Sequence, residues 1–257
     1  MRLSPFGRLD RRFAPAPAPA RVEWLRGVTY AHRGQHGEGL IENSPSAFAA
    51  AIAAGHGIEC DVQRSADGQA MVFHDWDLDR LTGESGPVRC RKASALGRIP
   101  LAGSEDRMMT LPALLGLIRG RVPLLIEIKS RRDVRSAMLC LAVRNALEGY
   151  RGPGAVMSFD PFVVRWFAVM APRVVRGLVV TEEGKRGVRG LWQRRAALWH
   201  ARPDFLAYDV RDLPSRFAAA QRGRGLPVLT WTVRSRELAQ RAAAHADAPI
   251  AEAAGLS

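Results

Sequence analysis

The sequence is poor in lysine, in cysteine and in long apolar segments. Three of its 38 basic residues are lysines, which leaves 35 arginines against 25 acidic residues and a net charge of +13. Its three cysteines, Cys60, Cys90 and Cys140, are widely spaced and form no CxxC pair. Neither a disulfide framework nor a zinc site is therefore expected. No run of about 18 apolar residues occurs, so no membrane-spanning helix is predicted.

The N-terminal residues also lack the pattern of a secretory signal, because several arginines and Asp10 interrupt any apolar stretch. A cytoplasmic location is therefore expected. The run Ala14–Ala20 alternates alanine with proline, which cannot join a helix interior or a sheet ladder. It predicts a flexible N-terminal arm over residues 1–24, followed by one folded domain over residues 25–257.

The excess of arginine has two interpretations. A basic surface suits nucleic acid, anionic lipid or phosphorylated substrates, whereas a coding bias that raises alanine and arginine together has no bearing on function. The arginines are scattered in short pairs rather than in blocks, which favours the second interpretation. No nucleic-acid partner is therefore expected, and the oligomeric state is left open.

Eight short apolar or β-branched runs alternate with longer segments of helical composition. The predicted strands are Val28–His32, Gly57–Val62, Pro123–Lys129, Ala155–Phe159, Val174–Val180, Phe205–Asp209, Pro227–Val233 and Ala248–Ala251. Such alternation indicates parallel βα units. Eight units in a chain of this length predict an α/β fold of the (β/α)8 TIM-barrel type, with a doubly wound sheet as the alternative.

The stretch from about residue 63 to residue 110 interrupts this alternation. A turn signal at Ser65–Gly68 precedes the strand-like Ala70–His74, and the gap from Val62 is too short for a parallel crossover. This segment is therefore expected to fold back as a hairpin strand. The rest of the stretch is rich in glycine and proline, so a small insertion after the second strand is predicted.

Charged and titratable residues cluster where the predicted strands end, which is where barrel enzymes place their chemistry. These residues are two histidines, four carboxylates and two basic residues: His32, His74, Glu59, Asp61, Asp75, Glu127, Arg33 and Lys129. The two-residue period of a strand places Glu59 and Asp61 on one face, with Cys60 on the other.

Three converging carboxylates repel one another, and a hard divalent cation with oxygen ligands relieves that repulsion. We therefore interpret Glu59, Asp61 and Glu127 as candidate ligands of one Mg²⁺ or Ca²⁺. The alternative is that these carboxylates form ion pairs with Arg33 and Lys129 and hold no metal.

Arg33 and Lys129 are suited to binding a phosphate, the first through a planar fork and the second as a point charge. His32 and His74 are suited to act as base and acid on the two sides of a scissile bond. A structural role in the core is the alternative for each histidine. Together these residue types favour metal-assisted cleavage of a phosphodiester.

The same residues, in this order and spacing, resemble the glycerophosphodiester phosphodiesterase family over roughly residues 28–250. The motifs that carry the resemblance are Ala31–Gly34, Glu42–Phe48, Glu59–Val62, Asp67-Gly68, His74-Asp75, Leu81–Gly83, Glu127–Lys129 and Thr230–Val233. The resemblance implies a TIM barrel with an insertion after the second strand. It also implies hydrolysis of a glycerophosphodiester to an alcohol and glycerol 3-phosphate.

The resemblance further implies a role for each site residue. It implies metal ligands at Glu59, Asp61 and Glu127, an acid–base pair at His32 and His74, substrate contacts at Arg33, Lys129 and Trp231, and supporting positions at Glu42 and Asn43. In the mechanism of the family, the glycerol 2-hydroxyl attacks phosphorus and water then opens the cyclic phosphate. Trp231 as a core residue is the alternative for that position.

Two segments depart from the family pattern. Asp247–Glu252 is a loose version of the usual last strand, and Pro249 removes a ladder donor, so the eighth strand is expected to be short or irregular. The basic, tryptophan-containing segment 186–200 has no counterpart. It is expected to form an outer helix with its apolar side on the sheet and its arginines in water. A membrane-facing amphipathic helix is the alternative.

Two further functions remain as alternatives. The first is lysophospholipase D activity on a substrate that keeps one acyl chain, which an apolar groove would favour. The second is a basic protein without activity that binds nucleic acid or a membrane surface. Every residue expected of the active site is present, which argues against this last interpretation.

Overall fold

The computed structural model describes residues 5–37, 39–131 and 136–256. Its strands are β1 (Tyr30–His32), β2 (Gly57–Arg64), β3 (Ala70–Val72), β4 (Met109–Thr110), β5 (Leu124–Ile128), β6 (Gly154–Ser158), β7 (Val175–Val180), β8 (Phe205–Asp209), β9 (Val228–Val233) and β10 (Ala248–Ala251). Its α-helices are α1 (Pro5–Phe13), α2 (Pro19–Val22), α3 (Pro45–Ala53), α4 (Ala93–Leu96), α5 (Leu111–Ile118), α6 (Ser136–Leu147), α7 (Pro161–Met170), α8 (Val188–Ala201), α9 (Arg216–Gly223) and α10 (Arg236–His245). None of the helices described has both the length and the apolar character that crossing a bilayer requires.

The chain divides into two compact units, and the first runs from Tyr30 to Gly154. Its centre is β2, which has β1 as a parallel neighbour on one side and β5 on the other. In this register Glu59 lies opposite His32, and Asp61 lies opposite Glu127. Strand pairing therefore brings these four polar positions together before any loop is considered.

The predicted insertion after the second strand is present. β3 pairs antiparallel with β2, and β4 pairs antiparallel with β3, so the chain folds back as the short gap predicted. The insertion has its own apolar core, which consists of Met71, Phe73, Leu78, Val88, Leu96, Ile99, Leu101 and Met108. Helix α5, which follows, was not predicted, because its residues are apolar nearly all round and show no amphipathic period.

The second unit combines the N-terminal segment to Thr29 with Ala155–Gly255. Strands β6 to β10 are all parallel, each paired with the next in the sequence. Asp160, Ser215 and Ser235 cap the helices α7, α9 and α10 with their side-chain oxygens. β10 shows a register shift beside Pro249, which is the irregularity expected from its missing donor.

Helix α8 occupies the basic segment whose arginines were expected to face water. Leu198 packs into the core as expected, but Arg194 and Arg195 are also buried. Arg194 forms an ion pair of 3.1 Å with Glu182, and the Arg195 guanidinium lies 4.2 Å from the Phe6 ring centroid. A carboxylate and an aromatic face thus compensate the buried charges, and a helical period does not reveal such partners.

The described part of the predicted arm belongs to the second unit and packs against the rest of it. In α1, the Asp10 carboxylate accepts hydrogen bonds from the Trp199 indole and the Gln221 amide, both at 2.8 Å. Arg21 donates hydrogen bonds to backbone carbonyls of residues 172–174. Prolines exclude this segment from the sheet but leave its polar side chains able to bind the unit's surface. The domain boundary at residue 24 stays a prediction.

Replacement of Asp10 by alanine is expected to lower the free energy of unfolding by about 2 kcal/mol, because it leaves the buried Gln221 amide and the partly buried Trp199 indole without their acceptor. Urea denaturation of wild type and variant measures the difference. Glu105→Ala, which removes an exposed carboxylate, is the matched control, with an expected change within about 0.5 kcal/mol. Equal unfolding free energies for the Asp10 variant and wild type would mean that α1 does not pack in solution.

Candidate active site

Three carboxylates meet where the middle of β2 lies beside the carboxyl-terminal part of β5. Glu59 and Asp61 share one face of β2, as the two-residue period predicts, and Glu127 lies on β5 opposite Asp61. One carboxylate oxygen from each of the three lies within 4.8 Å of the others, and all three residues are buried. Such a set of hard oxygen donors matches Mg²⁺ or Ca²⁺ in ligand type.

Lys129 and Arg33 neutralise part of this charge. The Lys129 ammonium lies 2.9 Å from Asp61 Oδ1 and 2.7 Å from Glu127 Oε1, and Arg33 Nε lies 3.2 Å from Asp61 Oδ2. Burial would raise the pKa of Asp61, but these positive charges, Lys129 above all, hold it well below its ordinary value. Burial would lower the pKa of Lys129, yet the carboxylates raise it above the ordinary value.

Glu59 is the carboxyl that remains uncompensated. It accepts a hydrogen bond from the Arg33 backbone N–H at 3.1 Å, and His32 Nε2 lies 4.0 Å away. Burial first, and then the charges of Asp61 and Glu127, raise the pKa of Glu59 well above its ordinary value. Two basic side chains face three carboxylates, so a cation at Glu59 would relieve both the repulsion and the cost of burial. The three residues therefore fit a divalent metal.

The turn after β1 is built so that Arg33 reaches the carboxylates. Arg33 and Gly34 both take the left-handed backbone conformation, with φ of 57° and 81°. A Cβ at position 34 would come within 2.9 Å of the Ala47 backbone, so only glycine fits there. Glu42 accepts a hydrogen bond of 2.9 Å from the Arg33 guanidinium and orients it.

The side-chain amide of Asn43 holds Asp61 in place with two hydrogen bonds. Its Nδ2 donates to Asp61 Oδ2 at 3.1 Å, and its Oδ1 accepts from the Asp61 backbone N–H at 3.2 Å. Its own backbone N–H donates to the Arg33 carbonyl at 2.8 Å. Glu42 and Asn43 thus brace the residues beside them, which is the arrangement that a positioning role requires.

The two histidines lie at the ends of different elements. His32 is the last residue of β1, and its side chain is nearly buried beside Glu59. His74 follows β3, and its Nδ1 lies 2.7 Å from Asp75 Oδ1. Gln63 on β2 donates from its amide to the carbonyls of His74 and Asp75, so the hairpin end is held against the strand.

Arg80 is the site residue that the sequence did not reveal. Its Nε lies 2.5 Å from Asp75 Oδ2, and its guanidinium donates to Glu42 Oε1 at 2.7 Å. Arg80 therefore links Asp75, which contacts His74, to Glu42, which contacts Arg33. Burial would raise the pKa of Asp75 and of Glu42, but hydrogen bonds from Arg80 help to keep both below their ordinary values. One arginine among 35, inside an irregular insertion, shows no periodicity that could identify it.

Trp231 lies on β9, in the second unit. Its indole N–H donates to the Ala207 carbonyl at 2.9 Å, and its ring meets Phe159 edge to face at 5.4 Å. The side chain is half-buried. The hydrogen bond and the ring contact fix the indole and leave part of its surface accessible.

The sequence matches the model of the glycerophosphoryl diester phosphodiesterase family over residues 32–250. A glycerophosphodiester phosphodiesterase of Caldanaerobacter subterraneus is 27% identical over 231 residues, which is 84% of this chain and 90% of that protein. An uncharacterized protein of Bacillus subtilis is 31% identical over 124 residues, and this chain covers 47% of its length.

Solved structures show the same fold. A phosphodiesterase of Oleispira antarctica, in complex with the product sn-glycerol-3-phosphate, superposes with a TM-score of 0.79 at 22% identity, over 90% of this chain and 94% of that one. A glycerophosphodiester phosphodiesterase of Thermotoga maritima gives a TM-score of 0.70 at 24% identity, over 87% and 94%. The prediction of a (β/α)8 barrel with an insertion after the second strand is confirmed.

The different burial of the three cysteines predicts how their thiols react. Cys60 and Cys140 are buried, whereas Cys90 is exposed. Burial, followed by the charges of Glu59 and Asp61, raises the pKa of the Cys60 thiol. One thiol per native chain is expected to react rapidly with Ellman's reagent, and all three in denaturant. Cys90→Ser is expected to abolish the rapid reaction, and rapid labelling that persists in it would contradict this placement.

Proposed function

Because the chain belongs to the glycerophosphoryl diester phosphodiesterase family, and so to the phosphoric diester hydrolases, we propose that it hydrolyses glycerophosphodiesters to an alcohol and glycerol 3-phosphate. The observation that carries the proposal is the buried cluster of Glu59, Asp61 and Glu127 with Arg33 and Lys129 in direct contact. Burying so many charged groups costs free energy and is not expected of a cluster that serves stability alone. The carboxylates suit a metal ion, and the two basic side chains suit a phosphate.

Glu59, Asp61 and Glu127 would hold one divalent cation, Mg²⁺ or Ca²⁺. When bound, the cation would supply Lewis-acid stabilisation of the charge that develops on the phosphoryl oxygens. Asn43 contributes by keeping the Asp61 carboxylate in one orientation through its two hydrogen bonds.

Arg33 and Lys129 would bind the phosphate of the substrate. Arg33 offers a planar set of donors that matches phosphate oxygens, and Lys129 offers a compact charge. Both side chains are already desolvated and held in place by carboxylates, so little conformational freedom is lost on substrate binding. Trp231 is proposed to line the substrate site with the accessible part of its ring.

His32 and His74 would move the protons. One takes the proton from the glycerol 2-hydroxyl as that oxygen attacks phosphorus, and the other gives a proton to the departing alkoxide oxygen. Water then opens the resulting cyclic phosphate. Asp75 holds Nδ1 of His74, so Nε2 is the nitrogen available for transfer. Arg80 acts as a positioning residue, because it holds both Asp75 and Glu42.

The direct test is release of glycerol 3-phosphate from glycerophosphocholine with Mg²⁺ or Ca²⁺. His32→Ala and His74→Ala are each expected to lower kcat by about 10²- to 10⁴-fold, because each removes a proton-transfer group. His200→Ala, which removes an exposed histidine, is expected to leave kcat unchanged. Full activity in the presence of chelator would refute the metal, and cleavage of a lysophospholipid in place of glycerophosphocholine would replace the proposed substrate class.

Metal binding is tested separately by thermal and urea unfolding. A cation that binds the native state at about 100 times its Kd is expected to raise the free energy of unfolding by about 2.7 kcal/mol. Glu59→Gln and Glu127→Gln are expected to lose this increase, because each removes a ligand charge. Glu105→Gln makes the same chemical change at an exposed position and is expected to keep it. An equal increase in all four proteins would place the cation elsewhere.

A further inference from the structure

Three helices of the second unit, α1, α7 and α8, share a surface that the proposed function does not use. α1 runs beside α8, because the ring centroids of Phe6 and Trp192 lie 5.4 Å apart. Seven residues further along both helices, the rings of Phe13 and Trp199 lie 5.5 Å apart. α7 also packs against α8. The exposed side chains of these three helices are called the helix face below.

The exposed side of α1 consists mainly of arginine. Phe6 and Asp10 lie about one turn apart, and both contact α8. Because a helical turn takes 3.6 residues, Arg8, Arg11 and Arg12 lie on the opposite side of α1. All three arginines are exposed, and none of them makes an ion pair with a residue that the structure describes. Three guanidinium groups of α1 therefore face outward together.

No exposed carboxylate on these helices offsets this charge. The sequences of α1, α7 and α8 contain one acidic residue, Asp10, which is buried. Arg189 on α8 is exposed and Arg165 on α7 is partly exposed, and neither pairs with a described acidic residue. Glu183, which precedes α8, is exposed but pairs with Arg211. The helix face therefore carries five arginines without a carboxylate partner.

Large apolar side chains are exposed on the same face. Phe162 is 67% exposed, Val169 57% and Trp192 49%. Phe162 and Val169 are seven residues apart on α7, so they share its outward side. The ring centroid of Phe162 lies 4.4 Å from that of His200, which brings this side of α7 next to α8. Exposed apolar groups that occur together mark an interaction surface, and here they accompany unpaired arginines.

Three kinds of partner could neutralise these arginines: nucleic acid, a second copy of the chain and an anionic lipid bilayer. Nucleic acid presents a row of phosphates, which leaves the exposed phenyl and aliphatic groups uncovered. A symmetric pair of helix faces would place arginine opposite arginine, which is repulsive. An anionic bilayer supplies phosphates for the guanidinium groups and an apolar boundary for the rings beside them. It is the partner that matches both features.

We propose that the helix face binds the surface of an anionic lipid bilayer. The arginines of α1 would contact lipid phosphates, and Phe162, Val169 and Trp192 would enter the headgroup region. This extends the membrane-facing alternative for segment 186–200 to α1 and α7, because Arg194 and Arg195 of α8 are buried. The proposal rests on the second unit alone and does not depend on the reaction proposed for the first unit.

Sedimentation of the full chain with lipid vesicles tests the proposal. One set of vesicles contains phosphatidylcholine alone, and the other contains equal parts of phosphatidylcholine and phosphatidylglycerol. The wild type is expected to bind the second set more tightly, and added salt is expected to weaken this binding. Arg8→Gln combined with Arg11→Gln and Arg12→Gln is expected to lower the partition coefficient about 100-fold, because each arginine near an anionic surface contributes about fivefold.

A matched triple variant separates the position of the charge from its amount. Arg98→Gln combined with Arg151→Gln and Arg236→Gln removes the same charge outside the three helices. These arginines are also exposed, and they make no ion pair with a described residue. This variant is expected to retain the binding of the wild type.

A second pair of variants tests the apolar part of the face. Phe162→Ala combined with Val169→Ala is expected to lower the partition coefficient about tenfold, because less apolar area is removed from water. Met138→Ala combined with Leu141→Ala makes a similar change at exposed positions of α6. The α6 variant is expected to bind as the wild type does.

Four results would overturn the proposal. They are no binding of the wild type to anionic vesicles, equal binding to both sets of vesicles, equal losses in a variant and its matched control, and tighter binding to a DNA duplex than to the anionic vesicles. The last result would assign the helix face to nucleic acid. Hydrolysis of glycerophosphocholine, which has no acyl chain, is measured on the same proteins and is expected to be unchanged in all variants. A failure of this surface and a failure of the proposed reaction are therefore distinguishable.

Discussion

The burial of three carboxylates within 4.8 Å of one another is the constraint on which the first unit depends. Carboxylates that lose their hydration this close together are stable only with opposite charge beside them. Lys129 and Arg33 supply two positive charges against three carboxylates, and burial together with the charges of Asp61 and Glu127 raises the pKa of Glu59. A divalent cation is the simplest partner that completes the balance. The chemistry of the site therefore follows from an electrostatic requirement of the fold.

This requirement explains the supporting residues around the cluster. Asn43 and Glu42 follow a turn whose left-handed backbone at Arg33 and Gly34 directs the chain back over β2. Arg80 links that turn to the end of the hairpin strand, where Asp75 holds His74. The scaffold strands position the carboxylates, and the insertion contributes a histidine. A site built on strands and braced across loops loses little order when the substrate binds.

In the second unit, several of the 35 arginines of the chain are paired with carboxylates. Asp247 accepts hydrogen bonds from Arg26 and Arg222, and Asp204 accepts from Arg21 and Arg176. Buried carboxylates with two arginines each stabilise the unit because the charges are paired and hydrogen-bonded.

The sequence by itself determined the order of the elements and the class of chemistry. All eight parallel strands were predicted within a few residues, because short β-branched runs between helical segments are a local signal. The meeting of Glu59, Asp61 and Glu127 was also predictable from the two-residue period and the barrel topology. Only the tertiary structure decided that Arg80 braces the site, that Arg194 and Arg195 are buried, and that residues 5–25 pack on the second unit. These outcomes depend on contacts between segments that no shared helix or strand period links, and no local pattern encodes which carboxylate or ring an arginine will meet.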